Sequence, residues 1–304
     1  MPNTIVLNRS NLVGTDNNTF EYKFPSPATF KNHAVAVSSI SVNYSWVNIS
    51  TALDNNKFQY QWYGHASGLE TYTITIPDGL YELDTINSYL QFEMVKNGNY
   101  LINAQGNYVY YIEFIVNPSQ YKYQLNTFSV PTAAQFNSSG GSQPTTGSGE
   151  FDGWTIPTAN SQSGTGAWTG FYTQNFNPKI TLLPNNFYKI LGFPNLYSSN
   201  INLGTNTNLS DLSITAPEIQ PNANVYISMS NIQNEYANPS SIIHSLVVSG
   251  SFGSTILDRP NELAYNKLIP GQYSQIRIQF LGSDLSPLKI LDPDTVIVLL
   301  IKEI

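Results

Sequence analysis

The sequence predicts an all-β protein: a single eight-stranded antiparallel jelly-roll sandwich with an inserted, mostly β domain that carries one short helix. Apolar and polar residues alternate with a period of two along much of the chain, which is the pattern of half-buried strands. Helix signals are few, and the better strands number eight, four on each side of a long middle section. Eight antiparallel strands in two sheets is the strand count of a jelly roll.

Each predicted strand is a short segment in which β-branched or aromatic residues alternate with polar ones or form an apolar run. The eight strands are Phe20–Phe24, Ala34–Tyr44, Phe58–Tyr63, Thr71–Ile76, Val225–Asn231, Ile242–Ser249, Tyr273–Leu281 and Thr295–Lys302. In the second strand the apolar residues are odd-numbered before Ser38-Ser39 and even-numbered after it, which predicts a β-bulge. The last strand is apolar at nearly every position, so both of its faces are expected to be covered.

These strands place the jelly-roll domain in residues 1–76 and 221–304. Residues 77–220 are then an insertion domain between the fourth and fifth strands. The insertion is expected to contain two strands of its own, at Tyr108–Val116 and Tyr121–Phe128, because the period of two continues there.

The insertion also carries the helix and loop signals. Asp84 can cap a helix that runs to about Asn97, where Asn97-Gly98 supplies the stop. Its apolar stripe comprises Ile86, Leu90 and Met94. A shorter helical turn is predicted at Asn186 to Leu191, closed by Gly192. Residues 131–178 are rich in Gly, Ser, Thr and Gln, which predicts a long loop that forms an exposed excursion.

The chain has few charged residues, and its composition excludes several functions. Only 11% of residues are charged, against about 25% in an average soluble domain, and the net charge is −7. Lysine and arginine are not in excess over aspartate and glutamate, so direct binding of nucleic acid is not expected. No cysteine occurs, which excludes disulfides and thiol chemistry. The longest apolar run, Val296 to Ile301, is too short to span a membrane. A neutral, Tyr-rich surface is typical of an interface.

No pattern predicts a catalytic, cofactor or metal site, so the protein is not expected to be an enzyme. His33, His65 and His244 each lack a second ligand at metal-binding spacing and are interpreted as surface or strand-end residues. The carboxylates of Asp292-Pro293-Asp294 are typical of a turn before a strand. Neither a Gly-x-Ser-x-Gly elbow nor a phosphate loop is present.

A carbohydrate-binding or carbohydrate-cleaving β-sandwich protein is the alternative interpretation. Aromatic residues interrupt the Gly-rich loop and form a candidate outward-facing binding loop. They are Trp154, Trp168, Phe171 and Tyr172. A glycosidase also needs two carboxylates that face each other across an aromatic cleft. Glu113, Glu150 and Asp152 are the candidates, and their spacing alone does not pair them.

Several short motifs, spread along most of the chain, carry a resemblance to a known protein family. They are Val42–Ile49, Ile76–Tyr81 with the helix after it, Tyr188–Phe193, the strand around Val247, the turn at Pro260 and Pro270, Ile276–Phe280 and Asp292–Ile301. Together they resemble the penton (minor capsid) proteins of Mavirus-type virophages and polinton-like viruses. The length favours one jelly roll plus an insertion over the two jelly rolls of the major capsid proteins of these viruses.

The resemblance implies a structural capsid protein that forms a homopentamer at each icosahedral vertex and contacts the surrounding major capsid protein trimers. It implies localisation in the virion after assembly in the host cytoplasm, and the absence of cysteine is consistent with that reducing compartment. The insertion could face outward and bind a host or giant-virus surface. A secreted fibre or adhesin is the third interpretation, and the lack of a signal-peptide pattern disfavours it.

Overall fold

A computed structural model describes residues 3–65, 68–136, 146–157, 174–200, 204, 206–220 and 222–304. The protein is all-β, as predicted, with helices α1 (Leu83–Asn97), α2 (Ala133–Phe136) and α3 (Phe187–Leu191). The strands are β1 (Asn3–Leu7), β2 (Thr19–Phe30), β3 (His33–Asn43), β4 (Lys57–His65), β5 (Gly68–Thr75), β6 (Leu101–Ile102), β7 (Tyr108–Val109), β8 (Ile112–Asn117), β9 (Lys122–Thr127), β10 (Lys179–Leu182), β11 (Leu209–Leu212), β12 (Asn224–Met229), β13 (Ile242–Val247), β14 (Thr255–Asp258), β15 (Asn266–Lys267), β16 (Gly271–Leu281) and β17 (Thr295–Glu303).

The chain divides into two compact units. The first unit combines Met1–Asn48 with Gln220–Ile304, and the second is Ile49–Ile219. The first boundary therefore lies well before the one predicted at residue 76. The reason is that β4 and β5 bury their aromatic and aliphatic side chains in the core of the second unit, where Phe58, Tyr60 and Trp62 are fully buried.

The first unit contains two antiparallel sheets. One has the strand order β1-β17-β3-β14, with the short β15 also paired to β3. The other has the order β13-β12-β16-β2. Without β15, the first unit has eight strands in the described residues. Two of them, β1 and β14, were not predicted, and they stand in place of the predicted strands that became β4 and β5.

The predicted bulge in β3 is confirmed. Ser39 pairs with Val298 of β17 and Val37 pairs with Leu299, so Ser38 is the extra residue. The consequence is that apolar residues on both sides of the bulge face the same core. Val35, Val37, Ile40 and Val42 are all buried.

The second unit has its own core, built from small sheets and α1. Its described sheets have the orders β10-β4-β5, β11-β9-β8 and β6-β7. The predicted helix is confirmed with its apolar stripe fully buried, although it begins at Leu83 rather than after Asp84. Asn87 attaches the helix to β8, because its Oδ1 accepts the Phe114 N–H at 2.8 Å and its Nδ2 donates to the Phe114 carbonyl.

The segment predicted as an exposed loop, residues 131–178, is packed at both ends. Phe136 of α2 and Phe176 are fully buried, and Val130 forms a β-bridge with Phe176. The prediction of an exposed excursion is therefore wrong for these ends. The physical reason is that the aromatic side chains outweigh the Gly- and Ser-rich composition, since each buries a large apolar area.

The short predicted turn before Gly192 is confirmed as α3. Replacing Gly192 with alanine is expected to lower the free energy of unfolding by at least about 2 kcal/mol. Gly192 has a left-handed φ of +75°, and an added Cβ would lie 2.4 Å from the Thr215 carbonyl oxygen. Both the backbone conformation and the steric contact therefore oppose a side chain.

Gly106 supplies the matched control for this substitution. Its φ is +82°, and an added Cβ would meet nothing within 4 Å. Gly106→Ala is therefore expected to lower the free energy of unfolding only through the left-handed backbone, by about 1–2 kcal/mol. Urea unfolding followed by circular dichroism measures both variants. Equal losses of unfolding free energy in Gly192→Ala and Gly106→Ala would contradict a steric clash with the Thr215 carbonyl.

Candidate functional site

Of the four residues predicted for a binding loop, Trp154 lies in a pocket of the second unit. Trp168, Phe171 and Tyr172 lie outside the described residues. The pocket has a volume of about 420 Å³, within the range of ~300–1,000 Å³ that small-molecule sites occupy. Its lining combines aromatic rings with uncharged polar groups and one carboxylate. The lining residues used below are Tyr110, Tyr111, Phe128, Ser129, Gln135, Glu150, Phe151, Trp154, Asn206 and Asn208.

Aromatic packing holds the walls of this pocket in place. Trp154 meets Phe151 edge-on with ring centroids 5.2 Å apart, and Phe151 stacks on the buried Phe136 at 6.0 Å. Tyr111 is only 5% exposed and meets the edge of Trp62 at 6.0 Å. These contacts connect the pocket walls to the core, so the rings are positioned before any ligand arrives.

Polar groups of the lining are only partly occupied by hydrogen bonds to the described residues. Gln135 accepts hydrogen bonds through Oε1 from Thr132 N–H (2.9 Å) and Asn175 Nδ2 (2.6 Å). Its amide nitrogen has no partner among the described residues. The Ser129 hydroxyl is buried and also lacks a partner in the described part of the chain. Burial raises the pKa of Tyr111, so its hydroxyl stays protonated and can donate at neutral pH.

The three carboxylates considered for sugar cleavage do not all meet at the pocket. Glu150 lines it with an exposed side chain. Glu113 lies on β8, where it accepts a hydrogen bond from Asn126 Nδ2 at 3.0 Å. Neither Glu113 nor Asp152 belongs to the described lining. The described pocket thus has one carboxylate, whereas glycoside hydrolysis requires a facing pair.

His33, His244 and the aspartates near residue 292 make local structural contacts. His33 begins β3 and meets Phe30 edge-on at 5.2 Å, and His244 of β13 contacts Asp258 of β14. Asp292 Oδ1 accepts the Asp294 N–H at 2.9 Å, which confirms the predicted turn. His65 ends β4. Within the described residues, no three His, Cys, Asp or Glu side chains form a group that could hold a metal.

A second candidate surface is the outward face of the sheet β1-β17-β3-β14. We call it the apolar sheet face, and its residues are Thr4, Val6, Ser39, Ser41, Thr255, Leu257, Val296, Val298 and Leu300. None of these side chains is charged, and the charged Lys302 borders the face at the end of β17. Val6 is 49% exposed, Val296 42% and Leu257 58%. The prediction that the last strand is covered on both faces is therefore wrong for this chain alone.

The outward face of the other sheet has the opposite character. Glu21 of β2 lies between two cations, 3.1 Å from Arg277 Nη2 and 3.6 Å from Lys23 Nζ. Neighbouring outward positions are Gln275 and Gln279. This face is suited to water, whereas the apolar sheet face leaves Val6, Val296 and Leu257 exposed within the described residues.

Sequence reasoning did not find most of the pocket or the apolar sheet face. The pocket joins residues from β7, α2 and the segment before β11, which no spacing rule connects. For the sheet face a signal existed, since the uninterrupted apolar run of β17 predicted two covered faces.

Comparisons with known proteins give likenesses to solved structures but no match of sequence. No protein-family model matches the chain, and no curated protein matches it. Among solved structures, it is similar to the crystal structure of the selenomethionine-labelled mavirus penton protein. The TM-score is 0.42 at 12% sequence identity, over 100% of this chain and 99% of that chain. Across the ranges that the structure describes, no helix is both long and apolar enough to cross a membrane.

Proposed function

We propose that this protein is a structural capsid protein that forms the pentamer at icosahedral vertices and contacts the surrounding major capsid protein. The observation that carries the proposal is the apolar sheet face. Its uncharged outward side chains include Val6, Val296 and Leu257, which are between 42% and 58% exposed. An extended apolar face on a chain with few charges is suited to burial against another protein.

The strand order supports the same proposal. Numbered along the chain, the eight strands of the first unit run 1-8-3-6 in one sheet and 5-4-7-2 in the other. Each sheet mixes strands from both ends of the unit, so the chain crosses repeatedly between sheets. We take this order as a jelly roll, the double-sheet fold of many capsid proteins.

A ring of copies is the arrangement that a head-to-tail interface produces when its rotation closes. In such a ring the apolar sheet face of one copy would pack on a different surface of the next copy. The net charge of −7 opposes a direct role in coating nucleic acid. In this proposal the protein acts by binding rather than by catalysis, and it resides in the virion after assembly in the host cytoplasm.

Light scattering coupled to size-exclusion chromatography, together with negative-stain images, tests the proposal. The expected result is a species with five times the mass of the 33.7 kDa chain and ring-shaped particles with five-fold symmetry. Co-expression with the major capsid protein should then place the rings at particle vertices. A species that stays monomeric at every concentration and salt condition would refute the proposal.

A further inference from the structure

We propose that the pocket beside Trp154 is a binding site for a neutral carbohydrate of one or two pyranose units. The proposal does not depend on the assembly role, because every described lining residue belongs to the second unit. It assigns a recognition function to that unit. Its ligand would be a glycan, recognised by ring stacking and by hydrogen bonds to hydroxyl groups.

The aromatic rings supply the apolar part of such a site. One face of a pyranose ring carries C–H groups with slight positive charge, and aromatic faces are electronegative. Tyr110, Phe128, Phe151 and Trp154 line the pocket, and each remains partly exposed. The edge-on contact at 5.2 Å between Phe151 and Trp154 sets two rings at a right angle, 89° apart. A sugar can therefore stack on one ring and touch the edge of the next.

Polar groups that have no partner among the described residues supply the directional hydrogen bonds of the site. The Ser129 hydroxyl is buried without a partner in the described residues, and such groups are rare in folded proteins. The Gln135 amide nitrogen and the Tyr111 hydroxyl also have no hydrogen-bond partner among the described residues. Tyr111 is only 5% exposed. Sugar hydroxyls both donate and accept, so they can pair with a hydroxyl as well as with an amide N–H.

Other ligand classes fit this lining less well. No lysine, arginine or histidine belongs to the described lining, so a phosphate or carboxylate ligand would have no cationic partner. One carboxylate is too few for a metal site. An organic cation could use Glu150 and the aromatic rings. However, it would leave the donors of Gln135 and Tyr111 facing a positive charge without an acceptor.

The test measures binding to the purified full-length protein by isothermal titration calorimetry and by saturation-transfer NMR. The probes are lactose, maltose and the β-1,4-linked disaccharide of N-acetylglucosamine, with choline as the organic cation. At least one saccharide is expected to bind saturably, and choline is not. Trp154→Ala should weaken saccharide binding about tenfold or more, with partial recovery in Trp154→Phe.

Two further variants keep the test decisive if Trp154→Ala disturbs folding. Tyr111→Phe keeps the ring that meets Trp62 and removes the hydroxyl, so saccharide binding should fall at least about fivefold. Phe92→Ala removes a 57% exposed ring on α1 outside the described lining, and it should leave binding unchanged. Circular dichroism of each variant reports folding.

Three outcomes would overturn the proposal. The first is no saturable binding of any of the saccharides. The second is binding of choline in preference to all of them. The third is saccharide binding that persists unchanged in folded Trp154→Ala and Tyr111→Phe variants. None of these outcomes depends on whether the protein forms rings, so this inference and the assembly role can fail separately.

Discussion

Val296→Lys is expected to leave the protein folded and to abolish its assembly into rings. Val296 lies on the apolar sheet face near the start of β17, an inner strand of the sheet, and pairs with Ser41, which in turn pairs with Leu257 of β14. A lysine there would place an ammonium group inside an interface between copies, at a cost of several kcal/mol. That cost raises the dissociation constant at least about 100-fold. Size-exclusion chromatography with light scattering measures the loss as a shift to the mass of a single chain.

The control for this variant lies on the polar outward face of the other sheet. Gln279→Lys introduces the same side chain at a half-buried outward position of β16, beside Glu21 and Arg277. It should assemble as the unchanged protein does. Both variants should keep their thermal unfolding midpoints within a few degrees, because neither position faces the core. Normal rings from Val296→Lys would contradict the assignment of this face as an interface.

The sequence predicted strands well where the pattern of buried residues is regular. The alternation in Phe58–Tyr63 and Ile276–Phe280 predicted strands that the structure contains as parts of β4 and β16. It did not predict β1 and β14, because the apolar residues of these short strands are consecutive and do not alternate with polar ones. Alternation also does not say which core a strand joins, so β4 and β5 were assigned to the wrong unit.

The candidate sites were also only partly predictable, because a sequence pattern does not show which segments meet in the fold. Trp154 stood out because an aromatic residue in a Gly-rich segment is unusual. Its neighbours Tyr111, Ser129 and Gln135 did not, since their relation to Trp154 arises from folding rather than from spacing. The apolar sheet face depends on the pairing of β1, β17, β3 and β14, which joins the two ends of the chain. A sequence pattern shows the apolar side of each strand, but only the register shows that these sides adjoin.

Deleting Ser38 is expected to be tolerated, whereas deleting Ser41 is expected to cost about 3 kcal/mol or more. Both deletions remove one serine from β3, so they are matched in composition. Ser38 is the extra residue of the bulge, because Val37 and Ser39 already pair with the adjacent residues Leu299 and Val298. Without Ser38 the strand alternates regularly, and its apolar residues all still face the core.

Deleting Ser41 has a different consequence, because it makes Ile40 and Val42 neighbours in the chain. Adjacent residues of a strand point to opposite faces, so one of these two side chains must leave the core whether or not the bulge remains. Both are fully buried, and a serine or asparagine would replace one of them inside. Urea unfolding of the two variants measures the difference. If deletion of Ser38 proved as damaging as deletion of Ser41, the bulge would be needed for the twist of the sheet rather than for the phase of its apolar residues.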